Sequence, residues 1–281
     1  MIEHTFCHMP GIGPKTERGL WDAGLLSWRE LGESSLKSVS RRRRERLTQY
    51  ARESEEQLAA RNATYFDRLL PASQAWRMFP DFENSVAFLD IETTGLSGNR
   101  DVVTTIALYD GLDVYHYVRG DNMDEFAERI ASYRLLVTFN GKTFDIPFLR
   151  RHMRLPLEQA HIDLRYVLAS LGFTGGLKAC ERRLGLDRAE LADVDGYFAV
   201  LLWKDYIRSG DSKVLETLLA YNVADVLNLA TIMPLAYNMK IQDTPFSESR
   251  RLSLVEPVPN PFVADRETIV RIKRQIMARP W

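Results

Sequence analysis

The sequence predicts an α/β layer architecture preceded by a smaller helical region. Residues 1–70 carry helical spacing and few strand-like stretches. From Ser85 three short apolar runs, a helical stretch and a fourth run follow one another before a mainly helical remainder. Three strands in a meander, a helical crossover to a further strand and then packed helices is the order of an α/β fold.

In chain order, turn residues Gly11–Pro14 precede bulky positions Leu20, Trp21, Leu25 and Trp28. A charged helical pattern beginning at Arg41 then carries Leu47, Tyr50, Leu58, Phe66 and Leu69. Pro71 ends it and Phe79-Pro80-Asp81 reads as a turn, so residues 71–84 are expected to be a linker. The next unit is expected over 85–240. SVAFLDI, VVTTIALYD and LDVYHYV read as strands, with turns at Gly95–Asn99 and a hairpin signal at Asp110-Gly111. A helix over Met123–Ser132 leads to a strand at 134–139, and His161-Ile162-Asp163 is a further short strand. Helices are expected near 144–153, 164–171, 177–184, 197–208 and 213–238, with Asp195-Gly196 as a helix start. In the last segment, 241–281, Pro245, Pro257, Pro259 and Pro261 forbid a long helix before the basic stretch RETIVRIKRQIMAR.

Composition narrows the function. A chain of 281 residues, 45% hydrophobic and 27% charged, is long enough for a sizeable core and too apolar for wholesale disorder. Lys and Arg number 37 against 38 Asp and Glu, which argues against a uniformly polycationic nucleic-acid binder. The charge is uneven, however: +2 over residues 1–70, +2 over 241–281 and −5 between them. Cys7 and Cys180 are too few for a disulfide framework or a four-cysteine zinc site. No leader pattern and no apolar run near membrane-spanning length is read, so the expectation is a cytoplasmic protein with no membrane partner.

The acidic excess contains the chemistry. Asp90 and Glu92 stand two apart in FLDIE, so a strand puts both carboxylates on one face. Burying two like charges together is costly without a cation between them. Thr93-Thr94-Gly95 follows as a turn whose backbone could approach a ligand. In NGKTFDIPFL, Asp145 sits in the first turn of a helix, either as a charge partner of the helix N-terminus or as a group facing a metal. In YNVAD, Tyr221 and Asp225 share a helix face at i and i+4.

Taken in this order, FLDIETTG, NGKTFDIPFL and YNVAD resemble the three motifs of the DEDD (DnaQ-like) 3′–5′ exonuclease superfamily, in its tyrosine-bearing branch. The stretch GLKACERRLGL…DVDGYFAVLLWKDYI…LLAYNVADVLNL further resembles the YprB-like, ribonuclease H-like family of stand-alone proteins. The resemblance covers about residues 85–240. It implies a ribonuclease H-like fold with a mixed five-stranded sheet flanked by helices, and a metal-dependent exonuclease acting at the 3′ end of DNA or RNA. It also implies two divalent cations, Mg²⁺ or Mn²⁺. Asp90 would bridge them, Glu92 and Asp225 would complete the first site and Asp145 would help hold the second, while Tyr221 would orient the attacking water. Oxygen-only ligands suit these ions independently of any resemblance.

Around that site, Thr93, Thr94, Gly95, Asn140, Lys142 and Phe144 are the candidate substrate contacts, although Asn140-Gly141 is also ordinary turn chemistry. Asp163 is read as a helix cap, Lys178 as part of a solvated basic face, and both cysteines as inert thiols. MPGIGPKTERGLWDAGL resembles a helix-hairpin-helix turn, in which Gly11, Gly13 and Lys15 would meet a DNA backbone. The alternative to that contact is a plain packing element. The alternatives to the exonuclease are a structure-selective endonuclease, or a nucleic-acid-binding or scaffold protein with a vestigial site.

Overall fold

The computed structural model describes residues 1–33, 41–95, 100–186, 196–254 and 256–277. The expectations for residues 96–99 of the first turn and for Asp195 lie outside the described residues. The N-terminal region holds α1 (Pro14–Asp22), α2 (Glu30–Glu33), α3 (Arg41–Ala59) and α4 (Ala63–Leu69). Residues 72–85 form two short 3₁₀ turns flanking α5 (Phe79–Phe82). This stretch corrects the expected linker: Trp76, Met78, Phe79 and Phe82 are buried in it. Its turns are too short to show a helical period, and Pro80 falls in the first turn of α5, where its missing N–H costs nothing.

These turns also fasten the N-terminal region to the rest. Glu17 of α1, fully buried, accepts the Phe6 and Cys7 N–H groups at 2.6 and 3.0 Å. Its other oxygen pairs with buried Arg77 at 2.8 Å. The Arg77 guanidinium lies over the Trp21 and Trp76 rings. One continuous core then runs from Ile2 and Phe6 through Phe66 and Trp76 to Val137, Val226 and Tyr237.

The expected mixed sheet follows. Its strands are β1 (Val86–Thr93), β2 (Val103–Tyr109), β3 (Val114–Val118), β4 (Leu135–Thr138) and β5 (Ala160–Asp163), in the order β3-β2-β1-β4-β5. The first three pair antiparallel, while β4 and β5 run parallel to β1. β2 and β3 close through a short turn over 110–113, and the parallel pairs are reached through α6 (Phe126–Ala131) and α7 (Asp145–Met153). One face packs on α6 and α7 through Leu89, Ile91, Ile106 and Leu108. The other, with Phe88, Ala107 and Tyr109, packs on a long helix near the end of the chain.

After β5 come α8 (Leu164–Ser170), α9 (Leu177–Leu184), α10 (Gly196–Ser209) and α11 (Ser212–Ile241). By length and composition α11 could cross a membrane, which corrects the expectation that no stretch approached that length. Its most apolar window is 78% buried inside the fold, so it reads as the core helix that backs the sheet. The proline-rich tail passes beneath it, and Asn260 donates to the Ala220 carbonyl at 2.7 Å. α12 (Arg266–Met277) then docks Ile269 and Ile272 against α10 and α11. There the buried Asp205 carboxylate accepts from Arg208 and Arg271.

Candidate metal centre

Local period-two geometry turns Asp90 and Glu92 to the face of β1 that α11 covers. β4 pairs with β1 only from Val86 to Phe88, so the ladder stops just before the two acids. The Ile91 N–H lies beyond that point, and Asp145 Oδ1, in the first turn of α7, accepts it at 3.2 Å. From the opposite side α11 brings Asp225 onto the same spot. Carboxylate oxygens of Asp90, Glu92 and Asp225 all lie within 4.8 Å of one another. Three of the four expected acids thus form one cluster. Asp145 stands beside them, close enough for the Asp225 charge to act on it.

The electrostatics describe a site where buried like charges crowd one another. Burial pushes the Asp90 carboxyl well above the usual carboxylate range, and Asp225, Asp145 and Glu92 push it further; an Asn222 hydrogen bond pulls the other way. Burial likewise raises Asp145 to about 7, against the pull of its own and the Ile91 amides, with Asp163 and Asp225 adding to the rise. Protons or a cation relieve such a cluster. The donors are all carboxylate oxygens, a set that suits a hard divalent ion.

The candidate substrate residues are largely engaged in shaping loops. Thr93 Oγ1 donates to the Gly95 carbonyl at 2.7 Å, and a β-bulge lies between Glu92 and Thr93. Thr94 Oγ1 donates to Asp101 and accepts the Val102 N–H, both at 3.0 Å. Asp101 packs so close to Gly95 that an added Cβ would lie 2.7 Å from its Oδ1. Asn140, at φ +68°, donates its backbone N–H to Asp163 Oδ1 at 2.7 Å, and Lys142 donates its own to Asp163 Oδ2 at 3.0 Å. Asp163 also accepts the Arg165 N–H, so the expected cap of α8 additionally holds the loop before Asp145. The Asn140 side chain accepts from Thr143 and Arg165, and the exposed Lys142 extends near Asp67 and His161. Phe144 packs against Phe148.

Gly141 has a steric role in the same loop, since an added Cβ would overlap the Thr138 side chain, 2.6 Å from its Cβ. Gly141→Ala is expected to destabilise the protein by roughly 1–3 kcal/mol through a forced backbone shift. A urea-unfolding midpoint equal to wild type would show that the loop gives way freely.

Tyr221 is buried, with the Lys178 ammonium 5.1 Å from its ring centroid. Lys178 therefore reaches a residue of the third motif, which a purely solvated face did not anticipate. His161 is buried, bonded to Thr138 Oγ1 at 2.8 Å, and held neutral by burial that lowers it to about 3. Both cysteines are buried, and burial lifts Cys7 to about 12. Gly11 (φ +79°) and Gly13, the N-cap of α1, leave open space around their Cα atoms, and Lys15 beside them is exposed. They belong to the start of α1 and not to the acid cluster.

Three residues that the sequence pattern does not single out also shape the site: Asn222, which donates to Asp90; Thr105, which donates to Asn222; and Asp101, which accepts from Thr94. Asn222 is fully buried next to Tyr221, and its polarity on an otherwise apolar stretch was a usable signal. Thr105 and Asp101 offered none: a threonine in a strand reads as propensity, and an aspartate after a turn reads as solvated.

A ribonuclease H family model, described as the RNase_H superfamily, matches residues 87–237, and the chain belongs to that superfamily. Among curated proteins it is similar to the uncharacterized protein YprB of Bacillus subtilis (strain 168), 32% identical over 174 residues. That match covers 53% of this chain and 41% of YprB, so the chain spans less than half the length of this relative. Among solved structures it is similar to the family B DNA polymerase of the hyperthermophilic archaeon Pyrobaculum calidifontis, with 18% identity and a TM-score of 0.41 over 60% of this chain and 27% of the polymerase. A structure described as the apo form of a nuclease matches with 17% identity and a TM-score of 0.32, over 66% of this chain and 94% of that one.

Proposed function

We propose that this protein is a metal-dependent nuclease of the tyrosine-bearing DEDD type that removes nucleotides from the 3′ end of a nucleic acid. The observation that carries the reading is the convergence of the Asp90, Glu92 and Asp225 oxygens on one spot, with Asp145 at its side. Those three acids would hold one divalent cation and Asp145 would help hold a second. Bound there, such ions lower the barrier to in-line displacement by stabilising the attacking and leaving oxygens of a phosphodiester.

The chain's own residues do the rest. The Ile91 N–H keeps the Asp145 carboxylate in place, and Asp163 fixes the 140–142 loop that leads into it. The Tyr221 phenol orients the attacking water. The Thr93–Gly95 turn, closed by Asp101, presents backbone beside Glu92 to the terminal nucleotide. Residues 85–240 form the catalytic unit in this reading. The region 1–70 adds a backbone contact through Gly11, Gly13 and Lys15, independent of base sequence.

The test uses 5′-labelled single-stranded DNA and RNA with Mn²⁺, Mg²⁺ or EDTA. A ladder shortening from the 3′ end, absent in EDTA, is expected. Internal cuts would redirect the reading to an endonuclease. No cleavage of either polymer by a folded protein would leave a binding or scaffold role.

A further inference from the structure

We infer that Asn222 is a positioning residue that sets the Asp90 carboxylate for its cation, with Thr105 as the anchor behind it; this rests on the metal centre proposed above. Asn222 lies on α11 between Tyr221 and Asp225, with no exposure to solvent. A buried primary amide is costly unless both its ends are paired. Here both are: Nδ2 donates to Asp90 Oδ2 at 2.7 Å, and Oδ1 accepts from Thr105 Oγ1 at 3.0 Å. With a cation bound Asp90 is ionised and only accepts hydrogen bonds, so this orientation, with the NH₂ end on Asp90 and the amide oxygen on the threonine, is the one the loaded site requires. Thr105, also without exposure, stands opposite Glu92 in the β1–β2 register.

The chain Thr105–Asn222–Asp90 therefore joins β2, α11 and β1 behind the acids. It occupies one oxygen of Asp90 and pins the side chain before any ion arrives. The donor is neutral, which decides its role. A lysine or arginine there would satisfy the cluster's charge and compete with a cation. An amide fixes direction and leaves the charge deficit, which Asp225, Asp145 and Glu92 still impose on Asp90. Partners of this kind, one step behind the ligands, typically change metal affinity by about 10–100-fold when removed.

The experiment measures Mn²⁺ binding by calorimetry on the full chain without nucleic acid, so no turnover is needed. Asn222→Leu keeps the branched four-atom outline of the side chain and removes the donor, and is expected to weaken Mn²⁺ about 10–100-fold. Thr105→Val, a milder change that guards against misfolding of the first variant, is expected to weaken it about 5-fold, the loss of one hydrogen bond. Ile232→Val, a cavity in the same helix at a fully buried apolar position, should leave the affinity unmoved. Asp90→Asn reports on the centre itself and should abolish tight binding. Wild-type affinity in both Asn222→Leu and Thr105→Val, with Asp90→Asn still deficient, would overturn the role of Asn222 alone. No Mn²⁺ binding by wild type would overturn the metal centre, and this role with it.

Discussion

Asp90→Asn is expected to lower cation-dependent phosphodiester cleavage by on the order of 10³-fold or more while making the cation-free protein more stable. The two effects have one cause. Asp90 sits where burial and three neighbouring acids all disfavour its charge. The amide keeps the size and can still accept the Asn222 NH₂ through its own oxygen, so packing and the hydrogen bond survive. What disappears is a negative charge that only a cation or a proton makes tolerable. Relieving it should add about 1–2 kcal/mol in EDTA, the usual sign of a site held strained for function. The check is paired: thermal unfolding in EDTA, and hydrolysis in Mn²⁺. A variant as active as wild type would remove Asp90 from the chemistry. A less stable, inactive variant would mean that the acid serves the fold.

A second large effect concerns pH. In EDTA, Asp145→Asn is expected to gain stability relative to wild type as the pH rises from 5 to 8, by on the order of 3 kcal/mol. The Asp145 carboxyl of the folded protein titrates at about 7, raised mainly by burial, against 3.8 for the free group. Between those values the folded chain retains a proton that the unfolded chain has released. The stability this confers is complete below the unfolded value and is lost as pH rises through about 7. Asparagine does not titrate, so the difference between the two proteins reports this group together with the push its charge exerts on Asp90. His8 and His161, which burial lowers to about 4 and about 3, cost stability below their ordinary 6.5 in both proteins and cancel. Urea unfolding across this range checks it, and a difference that stays flat with pH would show that Asp145 is ionised in the folded state. Adding Mn²⁺ at about 100 times its dissociation constant should return roughly 2.7 kcal/mol to wild type at pH 8, because the ion takes the place of the lost proton.

Much of the arrangement is written in short-range pattern. Alternation along FLDIE assigns Asp90 and Glu92 to one face of a strand, and the four-residue spacing in YNVAD assigns Tyr221 and Asp225 to one side of a helix. The apolar runs from Ser85 and the turn at Asp110-Gly111 locate the strands for the same reason: backbone geometry has fixed periods of 2 and 3.6, and a sequence either matches them or does not. Such periods assign residues to faces and say nothing about what faces them.

The remainder depends on elements that meet across long stretches of chain. The segment at 72–85 looks like a linker because its helical turns are too short to repeat, yet it buries Trp76 and Phe79 and grips α1 through Arg77. α11 is apolar enough for a membrane, and the sheet packed on it gives it a core environment. Asp163 takes part in the loop before Asp145 as well as in its own cap, since β5 ends beside β4. Local pattern is enough to say which side chains can share a face and that four acids stand in motif order. The packed fold adds that β1–β4 pairing ends at Phe88, that Asp145 takes the Ile91 N–H beyond it, and that Asn222 and Thr105 stand behind Asp90. The reason is physical: hydrogen bonds between residues 54, 117 and 132 positions apart have no local periodicity to announce them, and form only when buried polar groups on separate elements must find partners.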